Sequence, residues 1–167
     1  MNSLVVYYSM YGNTRRLAEA MAEVLQTAGA ARAASLALFN AADLNGIDLA
    51  VVGSPTHIQN VPKAVRAALA VLPPRSLAGK GVAAFDTSLK MWGPLMSMTA
   101  AHGLLRRLRK LGGKRLLRPE TFLVKAVEAR PEGETDLLVE GELERAREWA
   151  AAIVGQVKQV SAAKGLR

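Results

Sequence analysis

Residues 4–14 read Leu4-Val5-Val6-Tyr7-Tyr8-Ser9-Met10-Tyr11-Gly12-Asn13-Thr14, and this stretch decides the fold. Leu4 to Tyr8 is a short, unbroken, β-prone run, the pattern of a strand buried on both faces. From Asn13 to Ala28 the apolar residues Leu17, Ala20, Met21, Val24 and Leu25 fall at helical spacing, and Gly29 is a natural stop. Between strand and helix lies a loop of hydroxyls, an amide and one glycine. Exposed N–H groups and the helix dipole make such a place suited to a phosphate. The loop is not GxxxxGK[ST] and has no lysine for a nucleoside triphosphate; it is not GxGxxG, so a dinucleotide is not indicated. It suits one terminal phosphate held by neutral donors. An ordinary helix cap needs only one such residue, not a string of them around a glycine.

Outward from this unit the alternation repeats. A weak strand covers Ala33 to Leu36, and a stronger one Asp48 to Val52, broken by Gly53-Ser54-Pro55-Thr56. A helix follows from about Pro62, well placed at a first turn, to Leu72. Gly81 to Phe85 is a strand, Asp86 to Pro94 a loop, and Ser97 to Leu111 a helix closed by Gly112-Gly113. Strand character returns in Arg115–Leu117 and Thr121–Val124; a polar stretch, Ala129 to Glu140, precedes a last helix from Glu142 to about Ala162. Alternating strands and helices predict a parallel sheet with helices on both faces, in one domain spanning residues 1–167. Ligands of such sheets sit outside the carboxyl ends of the strands, after Tyr8, Val52 and Phe85.

Three loops at these strand ends carry a resemblance. Tyr7–Thr14 resembles the phosphate loop of the flavodoxin family, which wraps the phosphate of FMN. Val52–His57 is similar to the family's second flavin loop, Ala84–Thr87 to the start of its third, and Glu140–Ala150 to its closing helix. The resemblance implies an α/β flavodoxin-like three-layer sandwich with a five-stranded parallel sheet in the order 2-1-3-4-5. It implies non-covalently bound FMN, contacted by Ser9, Met10, Tyr11, Gly12, Asn13, Thr14, Pro55, Thr56, His57, Ile58, Thr87, Ser88, Trp92 and Gly93. The second loop would lie along the isoalloxazine ring, where a backbone N–H near N5 helps set the potential. His57 is either a ring neighbour able to donate a proton or an exposed loop histidine. Trp92 either stacks on the flavin or packs as an ordinary aromatic. Where electron-carrier flavodoxins have Tyr followed by acidic residues, this loop has Lys90 and Trp92. Met91, Met96 and Met98 read as packing residues, His102 as an ordinary helix residue, and Trp149 as core.

The chain has 167 residues and a formal net charge of +8, with no cysteine. Disulfides, thiolate metal sites, iron–sulfur clusters and thiol nucleophiles are excluded. No apolar run approaches the ~20 residues of a membrane span, and the N-terminus lacks the pattern of a signal peptide, so a cytoplasmic protein is expected. Residues 101–118 hold seven basic residues and no acid, whereas residues 119–167 hold seven bases and nine acids. On a helical wheel Arg106, Arg107, Arg109 and Lys110 fall within about 160°, with the leucines opposite. This face is either an ordinary solvated helix face or a docking patch for an acidic redox partner protein. No aromatic residue interleaves with these bases, which argues against nucleic acid; contact with an anionic membrane surface is unmarked. The leading expectation is an FMN protein moving electrons between redox partners. The alternative is an FMN-dependent quinone reductase or protoporphyrinogen oxidase on the same fold, which flavodoxin-like proteins include.

Overall fold

A computed structural model describes residues 1–56, 60–89, 99–126 and 137–165, with side chains to 159. The first strand, β1 (Ser3–Tyr7), is buried on both faces, as its unbroken apolar run requires. Its neighbours are β2 (Ala31–Ser35) and β3 (Leu49–Pro55); β4 (Gly81–Ser88) pairs β3 on the far side, all in parallel. The fifth place in the sheet is shared by two short strands, β5 (Lys114–Arg115) and β6 (Glu120–Leu123), both parallel to β4. The order is therefore 2-1-3-4-5.

The two strand signals near residues 115 and 121 are one interrupted strand. Arg115 lies beside Val82 and Glu120 beside Phe85, so the fifth strand advances five residues where β4 advances three. Pro119 explains the break: it brings no N–H to the ladder and constrains Arg118 before it.

Side chains alternate across the sheet. Val5, Val51, Ala83 and Phe85 pack on one side against α1 (Asn13–Leu25) and α4 (Glu142–Gly165). Leu4, Val6, Val52 and Ala84 pack on the other against α2 (Lys63–Ala70) and α3 (Ala100–Lys110). Leu104, Leu105 and Leu108 dock α3 on the sheet, as the wheel predicts. Trp149 is core: Phe85, Phe122 and Trp149 meet edge-on, with centroids 6.0–6.3 Å apart. A glycine is needed at 53, because a Cβ there would lie 2.1 Å from the Phe85 ring. These contacts leave the carboxyl ends of β1, β3, β4 and β6 together at one edge.

The polar stretch read as a separator ends in structure. Val124 and Leu138 form an antiparallel bridge, and Lys125 N–H donates to the Leu137 carbonyl at 2.7 Å. Leu137 is 2% exposed. The residues that follow β6 and those that precede α4 thus meet as a short strap at the strand ends. A two-residue leucine run within a polar segment is too short to announce it.

Candidate functional site

The strand ends, the head of α1 and the strap enclose a cleft of about 280 Å³. Ser9, Met10, Tyr11, Asn13, Thr14, Pro55, Thr56, Thr87 and Ser88, all expected site residues, line it. Gly12 stands at the head of α1 with φ 88°, a left-handed conformation that glycine adopts without strain. Leu89, Val124, Lys125 and Leu137 also line the cleft and were not expected. Val124 and Lys125 follow β6, so the strand-end rule extended to a fourth strand would have found them. His57, Ile58, Trp92 and Gly93 lie outside the described residues, as do Lys90, Met91, Met96 and Met98.

Where Ser9, Thr14 and Thr87 line the cleft its side chains are polar and uncharged; Lys125 is the charged residue of the lining. Ser9 Oγ accepts the Gly12 N–H at 3.1 Å, which shapes the loop and leaves the Ser9 hydroxyl proton for a ligand. Thr14 and Thr87 share a hydrogen bond between their hydroxyls at 3.0 Å, although 73 residues apart. Two hydroxyls joined by one bond retain one further proton to donate. No side chain caps α1, and no acid sits in its first turn, so the first N–H groups keep their dipole for an outside anion. Met10, Tyr11 and Leu89, which also line the cleft, stand 52%, 51% and 51% exposed. Large apolar side chains gathered at a cleft suit a flat, apolar ligand.

Not every expected donor is available. Asn13 is buried, and its Oδ1 accepts the Leu137 N–H at 3.0 Å, pinning the strap to α1. The Thr56 hydroxyl donates to Asp86 Oδ2 and accepts the Ala100 N–H, each at 2.8 Å. Its backbone N–H donates to the Thr87 carbonyl. Ser88 donates to the Leu89 carbonyl at 3.1 Å. The Thr56 hydroxyl therefore positions the site rather than offering it a free proton, whereas Asn13 holds Leu137 through its oxygen alone and keeps its Nδ2 protons.

Asp86 organises the second and third loops. It is wholly buried, and Oδ2 also accepts the Ala101 N–H at 2.8 Å, so one carboxylate ties β4, Thr56 and the start of α3. Oδ1 has no hydrogen-bond partner among the described residues. Burial raises its pKa above the ordinary aspartate value; the Ala101 N–H and the hydroxyls of Thr56, Thr121 and Thr99 oppose this only in part.

The basic helix face divides in two. Arg106 and Arg109 line a groove with His102, Arg115 and Arg118. Arg107 and Lys110 line another, beside Arg66, between α2 and α3. Burial, with the charges of Arg66 and Arg106, lowers the Arg107 pKa. The wheel sees one arc because it omits the neighbouring elements.

The flavodoxin family model matches residues 5–149. Among curated proteins, none matches the sequence. A flavodoxin from the domain Archaea superposes with a TM-score of 0.73 at 20% identity, over 95% of this chain and 99% of that one. Oxidised Flavodoxin 2 from Bacillus cereus gives 0.73 at 21% identity, over 93% and 99%. The flavodiiron protein from Giardia intestinalis gives 0.70 at 20% identity; 93% of this chain is covered but only 36% of that one. At these identities the likenesses show the fold. The cleft fits FMN on its own terms: neutral donors at a helix head for a phosphate, and exposed apolar side chains for a ring.

Proposed function

The chain belongs to the flavodoxin family, which binds FMN non-covalently, and from that premise we propose that it carries electrons between redox partner proteins. When bound, FMN supplies one- and two-electron redox chemistry; the protein supplies position and surroundings. The observation that carries the reading is the uncapped head of α1, where the hydroxyls of Ser9, Thr14 and Thr87 meet at a cleft walled by Met10, Tyr11 and Leu89.

In this reading the first-turn N–H groups and those hydroxyls hold the phosphate. Met10, Tyr11 and Leu89 shield the ring from water. Asn13 and Leu137 hold the strap against α1, and Asp86 fixes Thr56 and the start of α3. A neutral cradle confines the ligand's charge to its own phosphate end.

No helix of the described residues is long and apolar enough to cross a membrane. A cytoplasmic location is part of the same proposal, and cell fractionation would check it.

The test is to load the pure protein with FMN, reduce it anaerobically and follow its oxidation by ferricyanide in a stopped-flow instrument. A carrier accepts and returns its electrons stoichiometrically, and shows no sustained oxidation of NAD(P)H by quinones or protoporphyrinogen-linked turnover. Sustained turnover by the pure protein would replace the carrier with an enzyme. A protein that gains no flavin absorbance with FMN would contradict both.

A further inference from the structure

The first groove beside α3 gathers four guanidiniums, where the second has two and a lysine. His102, Arg106 and Arg109 are spaced four and three residues apart, so they share one face of α3. Arg115 ends β5, and Arg118 lies in the break before β6 that Pro119 enforces. With Leu105 these residues line a groove of about 380 Å³. Four guanidiniums from two elements converge there. Among the described residues none of the four has an ion-pair partner.

Acids are close at hand but committed elsewhere. Across Pro119, Arg145 bonds Glu120 and Glu142 at 2.6 Å each, donates to the Thr121 carbonyl and lies 4.5 Å from the Phe122 ring centroid. Glu142 Oε2 also accepts the Leu123 N–H at 2.9 Å. Burial alone would lower the Arg145 pKa, yet Glu142 and Glu120 hold it raised. Arg145 is thus paired twice over, while its four neighbours repel one another with no counter-charge among the described residues.

Unpaired cations converging on a concavity call for an anion from outside. All four are arginine, whose planar fork suits paired contacts with carboxylates. No Phe, Tyr or Trp lines the groove, whose only aromatic ring is the His102 imidazole, so it offers little stacking platform for successive bases. The arginines are spread over α3, the end of β5 and the break before β6 rather than gathered at one point, which suits several spaced charges better than one compact anion such as free phosphate. An extended acidic surface fits better, since its charges can spread along the arginines.

The groove also lies beside the cofactor cleft. Ala100 and Ala101, at the start of α3, donate to Thr56 and Asp86, and His102 is the next residue. Arg106 and Arg109 follow about 6 and 10 Å beyond His102 along the helix axis.

We propose that the groove of Arg106, Arg109, Arg115 and Arg118 docks a surface rich in aspartate and glutamate on the redox partner protein. The partner's redox role rests on the electron-carrier reading; its acidity rests on the groove alone. Arg107 and Lys110, on the other side of α3, do not belong to the docking surface.

The test uses the full chain loaded with FMN and a fluorescein-labelled octaglutamate peptide, followed by fluorescence anisotropy at low salt. Arg106→Glu with Arg115→Glu is compared with Arg66→Glu with Lys110→Glu, which changes the net charge equally in the other groove. The first pair is expected to weaken peptide binding about tenfold or more, and the second less than about threefold. The milder Arg106→Gln with Arg115→Gln pair gives the same direction and serves if the reversed pair does not fold. Equal loss in both grooves, or no binding by the wild type, overturns the proposal. So does displacement of the peptide by inorganic pyrophosphate at equal concentration, which marks a small-anion site, or tighter binding of a labelled oligothymidylate, which marks nucleic acid. If FMN fails to bind, the carrier reading falls, while the same titration on the flavin-free chain still reads the groove.

Discussion

The head of α1 and the groove beside α3 both present themselves to anions, and they do so by opposite means. The first uses hydroxyls and backbone N–H groups, all neutral, with Thr14 and Thr87 already bonded to each other at 3.0 Å. The second uses bare charge on exposed arginines. Neutral donors act at contact distance and lose little to added salt. Charges act over roughly 8–10 Å at ordinary ionic strength and are screened beyond it. The first arrangement suits a ligand that stays, and the second a partner that arrives and leaves. In the proposed docking, the net charge of +8 bears on the partner and not on the cofactor.

The comparison breaks most readily at Thr14. Thr14→Leu fills the neutral end of the cleft and removes the bond to Thr87. The dissociation constant for FMN, read by flavin fluorescence, should rise about 100-fold, from lost hydrogen bonds and overpacking together. An unchanged constant would remove the phosphate from this loop.

Asp86 is the next lever, through stability. Its pKa is raised in the folded protein by burial, so the folded state holds its proton to higher pH than the unfolded chain does. That contribution is complete below the unfolded value and is lost as pH rises through the folded one. Asp86→Asn keeps an oxygen acceptor for Thr56 and Ala101 without the charge. The variant's melting temperature relative to wild type should therefore climb as pH rises above about 4, by a few degrees, and then level off. A difference that falls with pH would mean that the carboxylate is stabilised in place.

The smallest effect is expected where the two regions meet. Arg106→Glu with Arg115→Glu should leave FMN affinity within about twofold, because these charges lie outside the cleft's contact range and are screened. A large loss would make the groove part of the cofactor site.

How much of this was legible in the sequence depends on the range of the interaction. The run Leu4–Tyr8, the loop Ser9–Thr14 and the leucines of α3 declare themselves locally, by period and composition. The bond from Leu137 to Asn13 spans 124 residues and leaves no pattern, so the strap and its part in the cleft were not visible. Thr56 is expected from the resemblance to contact the flavin, and nothing in its neighbourhood of sequence tells that Asp86 and Ala100 take up its hydroxyl. The basic face divided for the same reason: the β5–β6 break brings Arg115 and Arg118 to one side of α3 only.

The central claim is that neutral donors at the head of α1 hold the phosphate of FMN. It is tested most directly by titrating the flavin-free protein with FMN and, separately, with riboflavin, which carries the same ring without the phosphate. The account predicts that FMN binds one to one and riboflavin at least about 100-fold more weakly, the loss of several charge-assisted hydrogen bonds. Equal affinities would contradict it.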